Sequence, residues 1–365
     1  PEAVQAAVEA MTQGWGNPSS RYELGTKAAA RMKEWRGNVA QALGCLPEEL
    51  FFTSCGTEGD NWAIQSALEV NRRRGKHIIT TAIEHAAVLE PCRELERRGY
   101  EVTYLEPDRQ GNITAAQVEE AMRPDTALVS MMLVNNELGA ILPVGEVAQV
   151  IRRTGCPALL HCDAVQGFLK IPFSPKKLGV DLLTVSGHKI HAPKGVGALY
   201  VRKGLKLPPL IWGGGQEEGL RSGTEATAQI AAFAAAARLG RQTLEEDMAH
   251  MARLKEETVR RLAEEVPKAK LLAQGGAPHI LAISLVGYKS EVVVRFLSDR
   301  GVYISSGSAC HKGKPSHVFA ALKLPKGERD GVLRISFSYD TKQEDVDALI
   351  EGLKGASEKL FPSLS

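Results

Sequence analysis

Lys189 follows Ser186-Gly187-His188 directly after the apolar run Leu182 to Val185. Burial lowers a lysine's pKa and makes its amine a nucleophile suited to a Schiff base; a lysine reaching from a strand end into water is the plainer alternative. Asp163 carries the charge that keeps a pyridine nitrogen protonated, as a pyridoxal cofactor requires, or it caps a helix. His85, after another apolar run, could lie flat on such a ring or shuttle protons, though a lone histidine also serves as a satisfied structural residue. Ser54-Cys55-Gly56-Thr57 precedes a helical stretch, where free backbone N–H groups, small residues and a hydroxyl suit a phosphate or an ordinary N-cap. Cys310 sits in Ser305-Ser306-Gly307-Ser308-Ala309-Cys310-His311-Lys312-Gly313-Lys314-Pro315. The neighbouring His311, Lys312 and Lys314 favour its thiolate, against the alternative of an inert loop cysteine.

These residues share a place in the chain pattern. Polar residues appear just past five β-rich runs: Ser54–Asn61 after Phe51-Phe52-Thr53, Glu84-His85 after Ile78–Thr81, Asn135-Asn136-Glu137 after Leu133-Val134, Asp163–Gln166 after Leu159–His161, and Ser186–Lys189 after Leu183–Val185. In open α/β sheets the carboxyl ends of the strands form the crevice where ligands bind, so five such tails imply one pocket.

From about residue 50 to 205, short β-rich runs alternate with amphipathic stretches, the rhythm of βα units around a mostly parallel sheet. Strands are expected at 50–53, 77–80, 102–105, 127–134, 158–161, 182–185 and 198–201. The Ala-rich stretch 224–239 reads as a packed helix, and a separate charged helix is expected over roughly 243–265, with a domain boundary near Gly240. Beyond it come strands at 280–285, 302–304 and 332–337 and helices over 290–300 and at the end of the chain. The expected organisation is a large α/β domain over 14–242 and a small α+β domain formed by 1–13 and 243–365.

The chain has 365 residues with 44% hydrophobic and 24% charged, which excludes wholesale disorder and a small disulfide scaffold. A formal charge of +2 gives no electrostatic case for direct nucleic-acid binding or a membrane surface. No apolar run approaches the ~20 residues needed to span a bilayer. Six cysteines without a C-x-x-C pair suit a reducing compartment, hence a cytoplasmic expectation, and offer no metal spacing. The Pro1-Glu-Ala-Val start, without Met or a secretory pattern, is expected to be that of a trimmed or processed product.

Taken together, the motifs resemble those of the pyridoxal-phosphate-dependent cysteine desulfurases with a long cysteine-bearing loop. The resemblance covers nearly the whole chain. It rests on Gly16-Asn17-Pro18-Ser19-Ser20, Thr53-Ser54 with Gly56-Thr57-Glu58 and Asp60-Asn61, Glu84-His85, Val134–Glu137, Asp163 with Gln166, Ser186–Lys189, Gly213–Glu217, Arg221–Thr224 and Ser305–Cys310. It implies an aspartate-aminotransferase-like fold with a seven-stranded sheet, a Schiff base on Lys189, Asp163 at the pyridine nitrogen, Gln166 at the ring hydroxyl and His85 stacked on the ring. The phosphate would be held by Gly56, Thr57, Ser186 and His188, with Thr224 supplied by the second subunit of a homodimer. Asn136 and Arg334 would meet the carboxylate of L-cysteine, a task suited to an arginine fork. Cys310 would attack the substrate sulfur, releasing alanine and leaving a persulfide for a sulfur-acceptor protein, in iron–sulfur assembly or thiolation.

Three departures stand out: the family's Ala-Thr-Thr segment is missing before Pro1, Cys55-Gly56 replaces the commoner Gly-Ala, and the segment after Cys310 is shorter and more basic than usual. The same fold also serves selenocysteine lyases, aminotransferases and epimerases, or an idle cofactor-binding partner subunit. Cys310 discriminates, because only sulfur- or selenium-abstracting members need it.

Overall fold

The computed structural model describes residues 1–273, 275–306 and 316–362. Seven strands form one sheet: β1 (Leu50–Thr53), β2 (His77–Thr81), β3 (Glu101–Leu105), β4 (Thr126–Met132), β5 (Leu159–Asp163), β6 (Leu182–Ser186) and β7 (Gly197–Val201), in the order β1-β7-β6-β5-β4-β2-β3. The pairs among β3, β2, β4, β5 and β6 are parallel, and β7 pairs antiparallel with both β6 and β1. All strands but β3 are buried along their whole length, as expected where helices cover both faces of a parallel sheet. That burial explains why these segments are continuous Val/Ile/Leu-rich runs rather than alternating ones. Trp62, Ile64 and Leu68 of the helix Gly56–Val70 and Val88 and Cys92 of the helix Ala86–Arg97 close one core against Ile78 and Leu128.

The chain divides into two compact units. The larger comprises Pro1–Leu105, Thr114–Leu133 and Pro143–Leu244; the smaller comprises Glu106–Ile113, Val134–Leu142 and Glu245–Ser365. The expected assignment of 1–13 to the small domain differs from this division. The helix Glu2–Thr12 belongs with the larger unit, where Arg31 Nη2 donates to Glu9 Oε1 at 3.1 Å. Two inner segments, 106–113 and 134–142, move the other way. Ala277 N–H donates to Gly139 O at 3.0 Å, and a Cβ on Gly139 would lie 3.0 Å from Ile280 O.

In the smaller unit a three-stranded antiparallel sheet, β8 (Ala269–Leu271), β9 (Ile280–Leu285) and β10 (Val332–Ser336), has the order β10-β9-β8. The helices Ser290–Ser298 and Gln343–Lys359 cover it through Val293, Leu297, Leu349 and Leu353. The strand expected at 302–304 does not form, and Ser305 makes an isolated bridge to Arg334.

The expected helix break at Gly240 is also absent: one helix runs over Thr227–Glu265. Glycine inside a helix costs about 1 kcal/mol relative to alanine. Here it admits Leu169, whose Cδ1 lies 3.0 Å from where a Gly240 Cβ would stand.

The loop around Glu217 is anchored by charge. Arg36 donates to both Glu217 oxygens at 2.8 and 2.7 Å and to Leu50 O at 2.7 Å, while Phe52 N–H donates to Glu217 Oε2 at 2.8 Å. The Glu217 side chain is only 3% exposed, so removing its partner strands a buried charge. Arg36→Met is expected to lower unfolding free energy by about 3 kcal/mol, measured by urea denaturation; a loss below about 1 kcal/mol, the range of an exposed pair, would show the clamp to be superficial.

Candidate active site

In the larger unit the carboxyl ends of the sheet gather the predicted residues. Asp163 ends β5, paired with Met132 of β4 on one side and Thr184 of β6 on the other. Its Oδ1 accepts from Val165 N–H at 2.9 Å. Burial, then the neighbouring Asp60 carboxylate, drives the Asp163 carboxyl far above the ordinary range, with the Val165 amide, His85 and His161 opposing. Such a group gains from an enclosed cation beside it. A protonated ring nitrogen supplies one.

The helix Gly56–Val70 begins at this edge. Its N-cap, Cys55, makes no side-chain capping bond, so the positive end of the helix is left for another acceptor. A Cβ on Gly56 would lie 2.9 Å from Val165 Cγ2 and 3.5 Å from Ser186 Cβ, so glycine keeps this cradle open. Ser186 Oγ and His188 Nδ1 are 2.8 Å apart, and burial together with Lys189 and Lys194 lowers the His188 pKa. An uncapped helix end, a glycine cradle, a hydroxyl and an imidazole fit a phosphate.

Lys189 lies in the short 3-10 turn Gly187–Ile190 directly after β6, half-buried, and the turn closes on His191 at φ 66°. His85 caps the helix Ala86–Arg97, its Nδ1 accepting from Ala87 N–H at 3.1 Å. The neutral ring therefore carries its proton on Nε2. Gln166 is half-buried three residues after Asp163, and Thr57 and Thr224 are exposed.

Asn136 and Arg334 belong to the smaller unit. Arg334 Nη1 donates to Asn136 O at 3.0 Å, while Arg334 Nε and Asn136 Oδ1 are buried without a hydrogen-bond partner among the described residues. Burial lowers the Arg334 pKa, and Glu137 opposes it. The unsatisfied Arg334 Nε–H is a buried charged donor of the kind that suits an incoming carboxylate, whereas Asn136 Oδ1 is an acceptor. Cys310 lies outside the described residues.

Sequence reasoning passed over the groups that pack against Asp163. His161 lies two residues before it on the same face of β5, and Thr184 lies two residues before Ser186 on β6. Ser130 Oγ and His161 Nδ1 are 2.9 Å apart, and His161 Nε2 lies 3.1 Å from Thr184 Oγ1 and 3.5 Å from Asp60 Oδ1. The available signal was polar residues inside otherwise apolar strands, in register with the site residues.

The aminotransferase class-V family model matches residues 1–349. The cysteine desulfurase IscS of Methanosarcina thermophila is 40% identical over 98% of this chain and 89% of its own length. The cysteine desulfurase of Trichormus azollae is 39% identical over 99% and 90%. Among solved structures, a NifS-like protein superposes with a TM-score of 0.92 at 36% identity, covering 98% of this chain and 96% of its own. SspA in complex with cysteine gives 0.80 at 35% identity, over 92% and 94%.

Gly56→Val fills the cradle between Val165 and Ser186. It is expected to weaken pyridoxal phosphate binding at least ~10-fold, about 1.4 kcal/mol, in an absorbance titration. Undiminished binding would move the phosphate seat elsewhere.

Proposed function

Because the chain belongs to the class-V aminotransferase family and, within it, to the cysteine desulfurases, we propose that it removes the sulfur of L-cysteine, releases L-alanine and passes the sulfur to an acceptor protein. The observation that carries this reading is the convergence in one unit of a buried carboxylate at Asp163, an uncapped helix start at Gly56 and Lys189 in the turn after β6. Each suits a different part of pyridoxal phosphate: the ring nitrogen, the phosphate and the aldehyde carbon. Bound there, the cofactor supplies the electron sink that cleavage next to an amino acid's α-carbon needs.

The remaining tasks fall to the chain. The Lys189 amine holds the aldehyde and, when displaced, moves the α-proton of the substrate. Asp163 keeps the ring nitrogen protonated, and Gln166 hydrogen-bonds the ring hydroxyl. His85 stacks on the ring and offers the proton at Nε2, since Nδ1 is engaged by the Ala87 amide. Gly56, Thr57, Ser186 and His188 hold the phosphate, joined by Thr224 from the second subunit of a homodimer. Asn136 and Arg334 take the substrate carboxylate, a role favoured by the buried Arg334 Nε–H, a donor unpartnered among the described residues.

The Cys310 thiolate then attacks the substrate sulfur. A sulfur–sulfur bond forms, the carbon–sulfur bond breaks with its electron pair left on the carbon fragment, and protonation of that fragment gives alanine. A persulfide remains on Cys310 for the acceptor. Among the described residues no helix is long and apolar enough to cross a membrane. We assign the reaction to the cytoplasm, where the five described cysteines, all free, would remain reduced.

With L-cysteine as substrate, Lys189→Ala and Cys310→Ala are each expected to abolish persulfide formation, but only Lys189→Ala removes the absorbance of lysine-bound cofactor. Persulfide is read by alkylation and mass spectrometry, alanine by chromatography. Equal sulfur transfer without Cys310 would overturn its assignment, and a colourless, unmodified Lys189 in protein supplied with pyridoxal phosphate would overturn the cofactor reading.

A further inference from the structure

We propose that Asp60 and His161 act as a positioning pair that holds one proton beside Asp163, so that the negative charge facing the ring-nitrogen seat resides on Asp163. The inference rests on the cofactor reading for what Asp163 faces; the pair itself is visible without it.

Asp60 lies on the helix Gly56–Val70, one turn beyond the phosphate cradle, with 1% exposure. Its Oδ1 is buried without a hydrogen-bond partner among the described residues, and Thr184 lies near enough to its carboxyl to favour the charged form against burial. Thr184 comes this close because Gly59 has no side chain: a Cβ there would stand 2.6 Å from Thr184 Cγ2. An ionised carboxylate in a dry interior requires several donors or a cation, whereas a carboxylic acid is content with few. The nearby side chains from the elements packed on Asp60 are a poor setting for an anion. Asp163 at the end of β5 and Glu84, between β2 and the next helix, are near enough to act on it electrostatically, and both are carboxyl groups.

His161 completes the arrangement. Fully buried, with its pKa pushed down to about 4, it is a neutral ring. When Asp60 keeps its proton, His161 Nε2 is an acceptor facing Thr184 and Asp60, and Nδ1–H donates to Ser130 Oγ. If Asp60 loses the proton, the tautomer must reverse, with Nε2–H toward Asp60 and the Ser130 hydroxyl donating to Nδ1. The bonds from Ser130 through His161 to Thr184, with Asp60 Oδ1 3.5 Å from His161 Nε2, link β4, β5 and β6 to the phosphate helix. They fix the ring-nitrogen seat and the phosphate seat relative to each other within the larger unit.

The sign of the pH effect follows from direction. Burial lifts the Asp60 carboxyl from 3.8 to about 7. The folded protein thus binds this proton more tightly than the unfolded chain, and the stability it contributes is present at low pH and lost as pH rises through about 7. Asp163 titrates with the same sign in cofactor-free protein, so removing Asp60 should leave part of the slope.

Asp60→Asn fixes the protonated state in an isosteric side chain. In cofactor-free protein its unfolding temperature should fall clearly less than that of the unaltered protein between about pH 4 and about pH 8. Its pyridoxal phosphate affinity and bound-cofactor spectrum should stay within about threefold of the unaltered protein's, a difference below ~1 kcal/mol. An unchanged pH slope overturns the pair's proton. A lost slope with affinity reduced more than ~10-fold overturns it too, because the site would then require Asp60 ionised. Should Asp60→Asn not fold, infrared spectra of Asp163→Asn protein with isotope-labelled aspartate decide: a buried carboxylic-acid band that disappears as pH rises through about 7 is expected, and its absence at low pH overturns the proposal. Unaltered protein that takes up no pyridoxal phosphate defeats the cofactor reading alone, and the cofactor-free measurements still judge the pair.

Discussion

A carboxylate held out of water at the end of β5 is the constraint around which the larger unit is arranged. Removing an ion from water costs several kcal/mol even after the surroundings relax, and a backbone N–H bonded to a charged group returns about 1.5–3 kcal/mol. The Val165 amide therefore leaves Asp163 short of what full ionisation requires, and an ionised Asp60 would add repulsion. The balance shifts only if a positive group enters the same space. Burial on both faces of the sheet, which makes β4, β5 and β6 continuous apolar runs, also makes this charge expensive and hence selective for a cationic partner.

Close approach does the rest. Gly56 and Gly59 sit on one helix, and each lets a neighbour come nearer than a side chain would allow: Val165, just past β5, at the first and Thr184 of β6 at the second. The helix start is thereby set at a fixed height above the sheet. Two arginine–carboxylate forks, Arg36 with Glu217 and Arg221 with Glu58, tie the glycine-rich segment near residue 215 to β1 and to the first turn of that helix. In both, one partner is at least three-quarters buried, which gives geometric definition that exposed pairs lack.

The seven strands of the large sheet were legible because a strand buried on both faces leaves a dense apolar run with polar residues immediately beyond it. Asp163, His85 and Lys189 were found through that same positional rule. Val302–Ile304 is apolar for a different reason: Val302 and Ile304 pack on the small unit's core without a ladder partner. Gly240 looked like a break because the sequence does not reveal Leu169 waiting for the space. Unit membership of 106–113 and 134–142 depends on contacts far apart in the chain, such as Gly139 with Ile280, which no local pattern encodes. Asp60 was named among the polar residues past the first run, but its cluster with His161 and Thr184 was missed because those two stand inside strands rather than past their ends.

The bond from the Ala87 amide to His85 Nδ1 leaves Nε2 as the nitrogen through which that imidazole would exchange a proton. Charging both nitrogens would evict the amide and forfeit a helix cap worth about 1 kcal/mol, so the helix itself urges the ring to hand a proton on rather than keep two.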